Sequence, residues 1–292
     1  MPTYSDVKYT LPPYPRQVRI ETSSFCNAGC SWCHAHGEKG LTRQKGKMDR
    51  QMITQIVDDI ATWPEPLKEL VPTNFGERFL HRDWYAILQE IARKLPETKI
   101  ALVTTGTLLT PDHIAKLATI PTLAYVNFSI NAYFRETWER IHKLPGKMMD
   151  RAVGNVHALR DRRPDVDVNV SMVYDPEITT ETERERFQAH WTQFGSTTVS
   201  HVSFAGHPRK RPLQPVTLSC RSVFDGIVVF DDGNCGTGCC FDGDADPELN
   251  IGHFPEEKLL DIWHGEKLKR LCEIHNGGQR VSLKLCETCS FA

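Results

Sequence analysis

From about residue 16 to 205, short runs of β-branched and apolar residues take turns with stretches of helical periodicity. The runs are QVRIET (17–22), LKELVPTN (67–74), TKIALVTT (98–105), LAYVNFSI (123–130), VDVNVSMV (166–173) and TVSHVSF (198–204). Between them lie stripes with helical spacing. Residues 49–63 place Met52, Ile53, Ile56, Ile60 and Trp63 on one face, and residues 81–95 do the same with Trp84, Ile87, Leu88, Ile91 and Leu95. Pro96 stops the second stripe, and Thr110 followed by Pro111 opens a third helix. Helical regions also follow to about residue 160 and over 180–194. Six strand–helix steps predict an α/β fold, a parallel sheet covered by helices, with chemistry on the loops at the C-terminal ends of the strands.

The first of those loops holds Cys26, Cys30 and Cys33 within eight positions. The chain has 10 cysteines, and the other seven stand at 220, 235, 239, 240, 272, 286 and 289. No signal-peptide pattern opens the chain, which points to a cytoplasmic protein with reduced thiols. Two separated groups of thiols read as two metal sites. With 40% apolar and 25% charged residues and a formal net charge of −2, the composition is that of a globular protein. It gives no basic field for nucleic acid and no run long enough to span a membrane.

Three thiolates at Cys-x3-Cys-x2-Cys leave one position unfilled. A structural zinc site closes with four ligands, and His34 or His36 could supply the fourth here, although His34 beside Cys33 would strain the loop. An iron–sulfur cluster held by three cysteines instead keeps one iron open.

Cys-x3-Cys-x-aromatic-Cys, with Trp32 as the aromatic, directly after a first strand, resembles the radical S-adenosylmethionine (SAM) superfamily. The resemblance covers nearly the whole chain. It implies a partial (β/α)6 TIM barrel, a [4Fe–4S] cluster on Cys26, Cys30 and Cys33, and SAM on the open iron. In such enzymes reductive cleavage of SAM gives a 5′-deoxyadenosyl radical that abstracts a hydrogen from the substrate. Trp32 is then expected to flank the adenine. NFGERFLH resembles the family's Gly-Gly-Glu-Pro segment through Gly76 and Glu77, with Phe75 and Arg78 departing from it. TTG (104–106) resembles Thr-Asn-Gly, so Thr104 is a further SAM contact, and Thr105 replaces Asn. Ser129 and Asn131 fall where the family binds the ribose, and Ser171 is a further polar candidate.

The tail resembles the SPASM/twitch extension, which binds auxiliary iron–sulfur clusters. The matching features are Cys220, an Asp-Gly turn, CCFD (239–242), NIGHFPEEKLLDIWHG and Cys286-x2-Cys289. The chain ends three residues after Cys289, so one auxiliary cluster, of [4Fe–4S] type, is expected on Cys220, Cys239, Cys286 and Cys289. Cys240 and Cys235 are alternatives to Cys239, Cys272 reads as a packed thiol, and zinc is the alternative metal. The expected division is a barrel at 1–205, a linker at 206–219 and an auxiliary domain at 220–292, the last too small for a core without its metal.

Four protein ligands leave no open iron, so the second cluster is expected to relay electrons. The reading is an enzyme acting on a small polar molecule (a sugar, cyclitol or nucleotide-like compound), with dehydrogenation as one route and a flavodoxin, ferredoxin or similar reductase as electron donor. A peptide-modifying enzyme is the alternative, disfavoured by the roughly sixteen residues before the first strand, which leave no room for a leader-binding domain. A zinc-stabilised binding protein is a third. Arg78, His81 and Arg82 are candidate substrate contacts at the barrel mouth, as is the basic run His207, Arg209, Lys210 and Arg211. Asp231, Asp232, Asp242, Asp244 and Asp246 lack calcium-loop spacing and read as a solvated turn. No residue stands out as a general base.

Overall fold

In a computed structural model, residues 8–37, 40–202, 218–239 and 241–289 are described. The basic run at 207–211 and Cys240 lie outside them. The first half follows the expected alternation: β1 (Gln17–Ile20), α1 (Arg50–Ala61), β2 (Glu69–Val71), α2 (Trp84–Lys94), β3 (Lys99–Thr104), α3 (Pro111–Leu117), β4 (Leu123–Ser129), α4 (Arg135–His142), α5 (Lys147–Arg162), β5 (Asp167–Tyr174), α6 (Glu181–Thr192) and β6 (Thr197–His201). Strands β1 to β6 pair in parallel with sequential neighbours. They form the (β/α)6 partial barrel.

The helices form where caps and apolar stripes agree. Asp49 accepts from the Gln51 N–H at the start of α1, whose Ile53, Ile56, Val57 and Ile60 are buried. Thr110 and His113 make a reciprocal capping box on α3. Each fully buried Ile or Leu contributes about 1.5–3 kcal/mol relative to exposure.

The strands are not apolar on both faces. In β4, Val126 and Phe128 are buried beneath the helices, whereas Asn127 and Ser129 alternate with them on the other face. There, Asn169 donates to Asn127 (2.6 Å), Asn127 donates to Ser171 (2.9 Å), and Thr198 donates to Asn169 (3.1 Å). The inner wall of the barrel is thus a hydrogen-bonded polar ladder.

The tail contains α7 (Ser222–Asp225), β7 (Gly226–Val229), β8 (Asn234–Thr237), β9 (Asn250–His253), α8 (Leu259–Trp263), α9 (Glu266–Asn276) and α10 (Lys284–Glu287). Gly265 does break the long helical pattern and caps α9. The tail shares the barrel's sheet and core. Strand β7 pairs in parallel with β1, and β8 and β9 continue antiparallel, giving one sheet of order β6-β5-β4-β3-β2-β1-β7-β8-β9. Ile227, Val229, Leu259 and Trp263 join the same buried core as Val18 and Ile20.

Candidate active site and thiol-lined pockets

The loop after β1 carries its three cysteines against the last turn of α4. The N–H groups of Gly29 and Ser31 donate to the carbonyls of His142 (3.0 Å) and Ile141 (3.2 Å). The loop thereby satisfies carbonyls that a helix end leaves open. Cys33 N–H donates to Cys30 O (2.9 Å), which tightens the turn. Cys30 Sγ lies 3.5 Å from Nδ1 of the buried His142, whose ring stacks on Trp138.

Cys26, Cys30 and Cys33 line one cavity of about 580 Å³. Trp32, Gly76, Glu77, Thr104, Ser129 and Asn131 line it too, at the C-terminal ends of successive strands. Ser171 does not line it; its hydroxyl accepts from Asn127 in the polar ladder (2.9 Å). Asn131 reaches the cavity wall with its amide already engaged. Its Oδ1 accepts from Val173 N–H (2.9 Å), and its Nδ2 lies 3.3 Å from Ser129 O and 3.4 Å from His142 Nε2.

Glu77 is buried and receives the Thr104 hydroxyl, the Thr105 N–H (2.9 Å) and the Thr105 hydroxyl (3.1 Å). Thr105, standing in place of Asn, therefore has a task of its own. Burial pushes the Glu77 carboxyl above its usual range, opposed by these hydrogen bonds. Gly76 is explained by contact. A Cβ there would lie 1.7 Å from Ser23 O, so the segment after β2 closes on the cysteine loop only without a side chain.

Arg78, His81 and Arg82 are not mouth residues. Arg78 is 1% exposed and donates to Pro72 O (3.2 Å). His81 is buried against Met48 O and the Asp83 N–H. Arg82 points to solvent beside Asp83. Sequence reasoning instead missed Thr73, Asn74, Ser200, His201 and Phe241, which complete the cavity. They come from three distant segments, and no local pattern marks them.

Burial pushes the thiol of Cys26 up to about 12 and those of Cys30 and Cys33 well above the ordinary value. Such thiols become thiolates when a cationic metal centre supplies the compensating charge. An all-sulfur donor set of three, held in a buried loop, suits iron–sulfur chemistry.

A second, closed pocket is lined by Cys220, Cys239, Cys286 and Cys289 together with Leu249, Leu285, His275 and Arg280. The four expected ligands, spread over seventy residues, meet here. Cys235 and Cys272 do not line it: Cys235 is buried in β8 and Cys272 in α9. Among the described residues, no three His, Cys, Asp or Glu side chains converge on a single metal-ion position. Phe241 lines both cavities, and its ring lies 5.2 Å from that of His34.

Of the acidic residues of the tail, Asp232 stands in an exposed turn bonded to Asn234, whereas Asp231, Asp242 and Asp244 are engaged. Asp231 is paired with Arg43, which also pairs with the buried Glu21, and Asp231 accepts from Ser24 Oγ (2.7 Å). Asp242 is buried and accepts from Asp246 N–H (2.9 Å), while Asp244 accepts from Thr42 N–H (2.7 Å). Asp231 and Asp244 tie the tail to the segment that follows β1.

A family model described as the radical SAM superfamily matches residues 20–187. The chain belongs to the radical SAM superfamily. A model for the SPASM iron–sulfur cluster-binding domain matches residues 220–290. The protein is thus a radical SAM enzyme of the SPASM/twitch group, using a [4Fe–4S] cluster and SAM, with auxiliary iron–sulfur binding in its tail. An AdoMet-dependent heme synthase from Methanosarcina barkeri is 26% identical over 148 residues, 50% of this chain and 39% of that one. A probable GTP 3′,8-cyclase from Saccharolobus islandicus is 27% identical over 124 residues, 42% and 37% of the two chains. The match thus spans about two-fifths of each of these curated relatives. Among solved structures, BtrN in complex with AdoMet and 2-DOIA superposes with a TM-score of 0.65 at 16% identity, covering 97% of this chain and 94% of that one. The enzyme anSMEcpe with AdoMet and Cp18Cys peptide gives 0.67 at 15%, covering 94% and 88%. SuiB of Streptococcus suis bound to precursor peptide SuiA gives 0.63 at 14%, covering 96% and 70%. At these identities the likeness is one of fold. No helix among the described residues is long and apolar enough to cross a membrane.

Proposed function

We propose that this radical SAM enzyme oxidises a small polar molecule of the sugar or cyclitol class, and that its tail holds one auxiliary cluster as electron acceptor. The carrying observation is the shared wall: Phe241 lines both the three-thiol cavity and the four-thiol pocket. A substrate in the first is then one aromatic ring from the second.

Cys26, Cys30 and Cys33 would hold the first cluster, and Cys220, Cys239, Cys286 and Cys289 the auxiliary one. Bound there, the first cluster and SAM supply the radical that removes a hydrogen atom from a substrate carbon. Glu77, Trp32 and Ser129 line the cavity where SAM must lie, and the Thr104 and Thr105 hydroxyls hold the Glu77 carboxylate in place. His201, exposed at the end of β6 and packed edge-on to Tyr174, is the candidate base missing from the sequence reading. In an alcohol oxidation its imidazole nitrogen takes the hydroxyl proton, one electron passes to the auxiliary cluster, and the carbon–oxygen bond becomes a carbonyl. A cavity of about 580 Å³ that must also admit SAM favours a small substrate. The fold likeness to BtrN, solved with AdoMet and 2-DOIA, supports the same class.

A peptide reading has its own support. Phe25, Tyr133 and Phe134, 41%, 37% and 37% exposed, stand on loops that leave the C-terminal ends of β1 and β4. The test is anaerobic reconstitution with SAM, a reductant such as reduced flavodoxin, and either aminocyclitols or Cys- and Ser-containing peptides. The expected result is 5′-deoxyadenosine release with carbonyl formation on a cyclitol, abolished in Cys26→Ala, Cys30→Ala and Cys33→Ala. Turnover with peptides alone would replace the small-molecule reading, and no cleavage of SAM under any condition would sink both.

A further inference from the structure

The four-thiol pocket contains two polar side chains that the ligand assignment does not use. His275 on α9 and Arg280 in the next turn line it, 1% and 0% exposed. His275 Nδ1 accepts a hydrogen bond from the backbone N–H of Cys220 (3.3 Å). A ring nitrogen that accepts carries no proton, so the neutral ring bears its proton on Nε2. That Nε2–H is buried and has no hydrogen-bond partner among the described residues. A protonated nitrogen cannot ligate a metal; it can only donate. The pocket therefore presents an unused donor among four sulfur atoms, and its natural acceptor is a thiolate or sulfide of a cluster seated there.

Arg280 adds a fixed cation to the same wall. Its Nη1 donates to Leu218 O (3.0 Å). Arg280 lines the same pocket as Cys220, Cys286 and Cys289. A hydrogen bond to cluster sulfur and a buried positive charge both favour the more negative, reduced state.

We propose that His275 and Arg280 are positioning residues for the auxiliary cluster, a sulfur-directed donor and a counter-charge that together raise its reduction potential and make it an electron acceptor. The inference rests on the ligand assignment proposed above and not on the identity of the substrate.

The test is a potentiometric titration of the reconstituted full-length enzyme, monitored by electron paramagnetic resonance. Added SAM marks the signal of the cluster that binds it and so separates the two. His275→Phe and Arg280→Met should each lower the auxiliary potential. The reduced-to-oxidised ratio at a fixed potential should fall about tenfold, which is about 59 mV for a one-electron couple. His275→Gln, which keeps a donor, and Arg280→Lys, which keeps the charge, should restore most of the native value. A purely structural role would change iron content or stability and leave the potential of loaded enzyme where it was. Unchanged potentials in His275→Phe and Arg280→Met with full iron and sulfide would overturn the proposal. If His275→Phe cannot be loaded, His275→Gln decides. Loading at the native potential supports the donor role, and failure to load refutes it. An auxiliary signal that survives Cys286→Ser and Cys289→Ser would defeat the ligand assignment and this inference with it. Shifted potentials in an enzyme that oxidises no cyclitol would defeat the substrate reading alone.

Discussion

Gly76 and Glu77 are neighbours with unlike reasons for being there. Gly76 is dictated by the backbone of Ser23, 1.7 Å from where a Cβ would stand. Gly76→Ala must push the cysteine loop away. The expected outcome is a several-fold loss of iron at the SAM site with the auxiliary cluster retained, read by iron and sulfide analysis. Glu77 was legible as a motif residue, but its ring of threonine donors was not. The three-cysteine group was legible because its ligands are close in sequence. His142, His201 and Phe241 were not, since each reaches the site from a separate element and no local spacing announces it. Glu21 carries a prediction of its own. Burial pushes its carboxyl up from 4.5 to about 7, with Arg43 opposing and Asp231 adding to the rise. The native state then holds a proton that the unfolded chain releases. That contribution is complete below about pH 4.5 and is lost as pH rises through about 7. Glu21→Gln should reduce the change in unfolding free energy between about pH 5 and about pH 8 by roughly 2–3 kcal/mol, measured by denaturant titration.

Helices were the most readable elements. The stripes over 49–63 and 81–95 became α1 and α2 with ends shifted by one to three residues, as caps and fraying dictate. All six barrel strands were anticipated, but their two-faced character was not: Asn127 and Asn169 sit inside runs dominated by apolar neighbours, which hides the alternation. The acidic turns of the tail were misjudged because their partners, Arg43 and Ser24, lie about two hundred residues earlier. Arg43 joins Glu21, Asp231 and the Gly243 carbonyl, with its guanidinium over the Phe230 ring. Removing one member of a buried charge network leaves the others uncompensated. Arg43→Met should therefore cost about 3–5 kcal/mol, seen as a lowered denaturation midpoint of the anaerobic holoenzyme.

At the level of the whole molecule, the two thiol-lined cavities belong to one continuous sheet. Sequence reading places an auxiliary unit at 220–292, and the SPASM model matches residues 220–290; the linker at 206–219 lies almost wholly outside the described residues, and strand pairing over two hundred residues leaves no mark in composition. The pairing of β1 with β7 means that the tail covers one edge of the barrel's first strand. A chain truncated after residue 202 should lose that cover and bury less of Val18 and Ile20. The expected result is dye-binding, protease-sensitive protein, in contrast to the intact chain. The same pairing sets an order of events during synthesis. Strand β1 and its three cysteines leave the ribosome well before the strand's second neighbour, which arrives only with residues 226–229. Until then β1 has an open edge that any extended segment can occupy. Residues 21–225 are thus all made while the metal-binding loop stands beside an unfinished sheet.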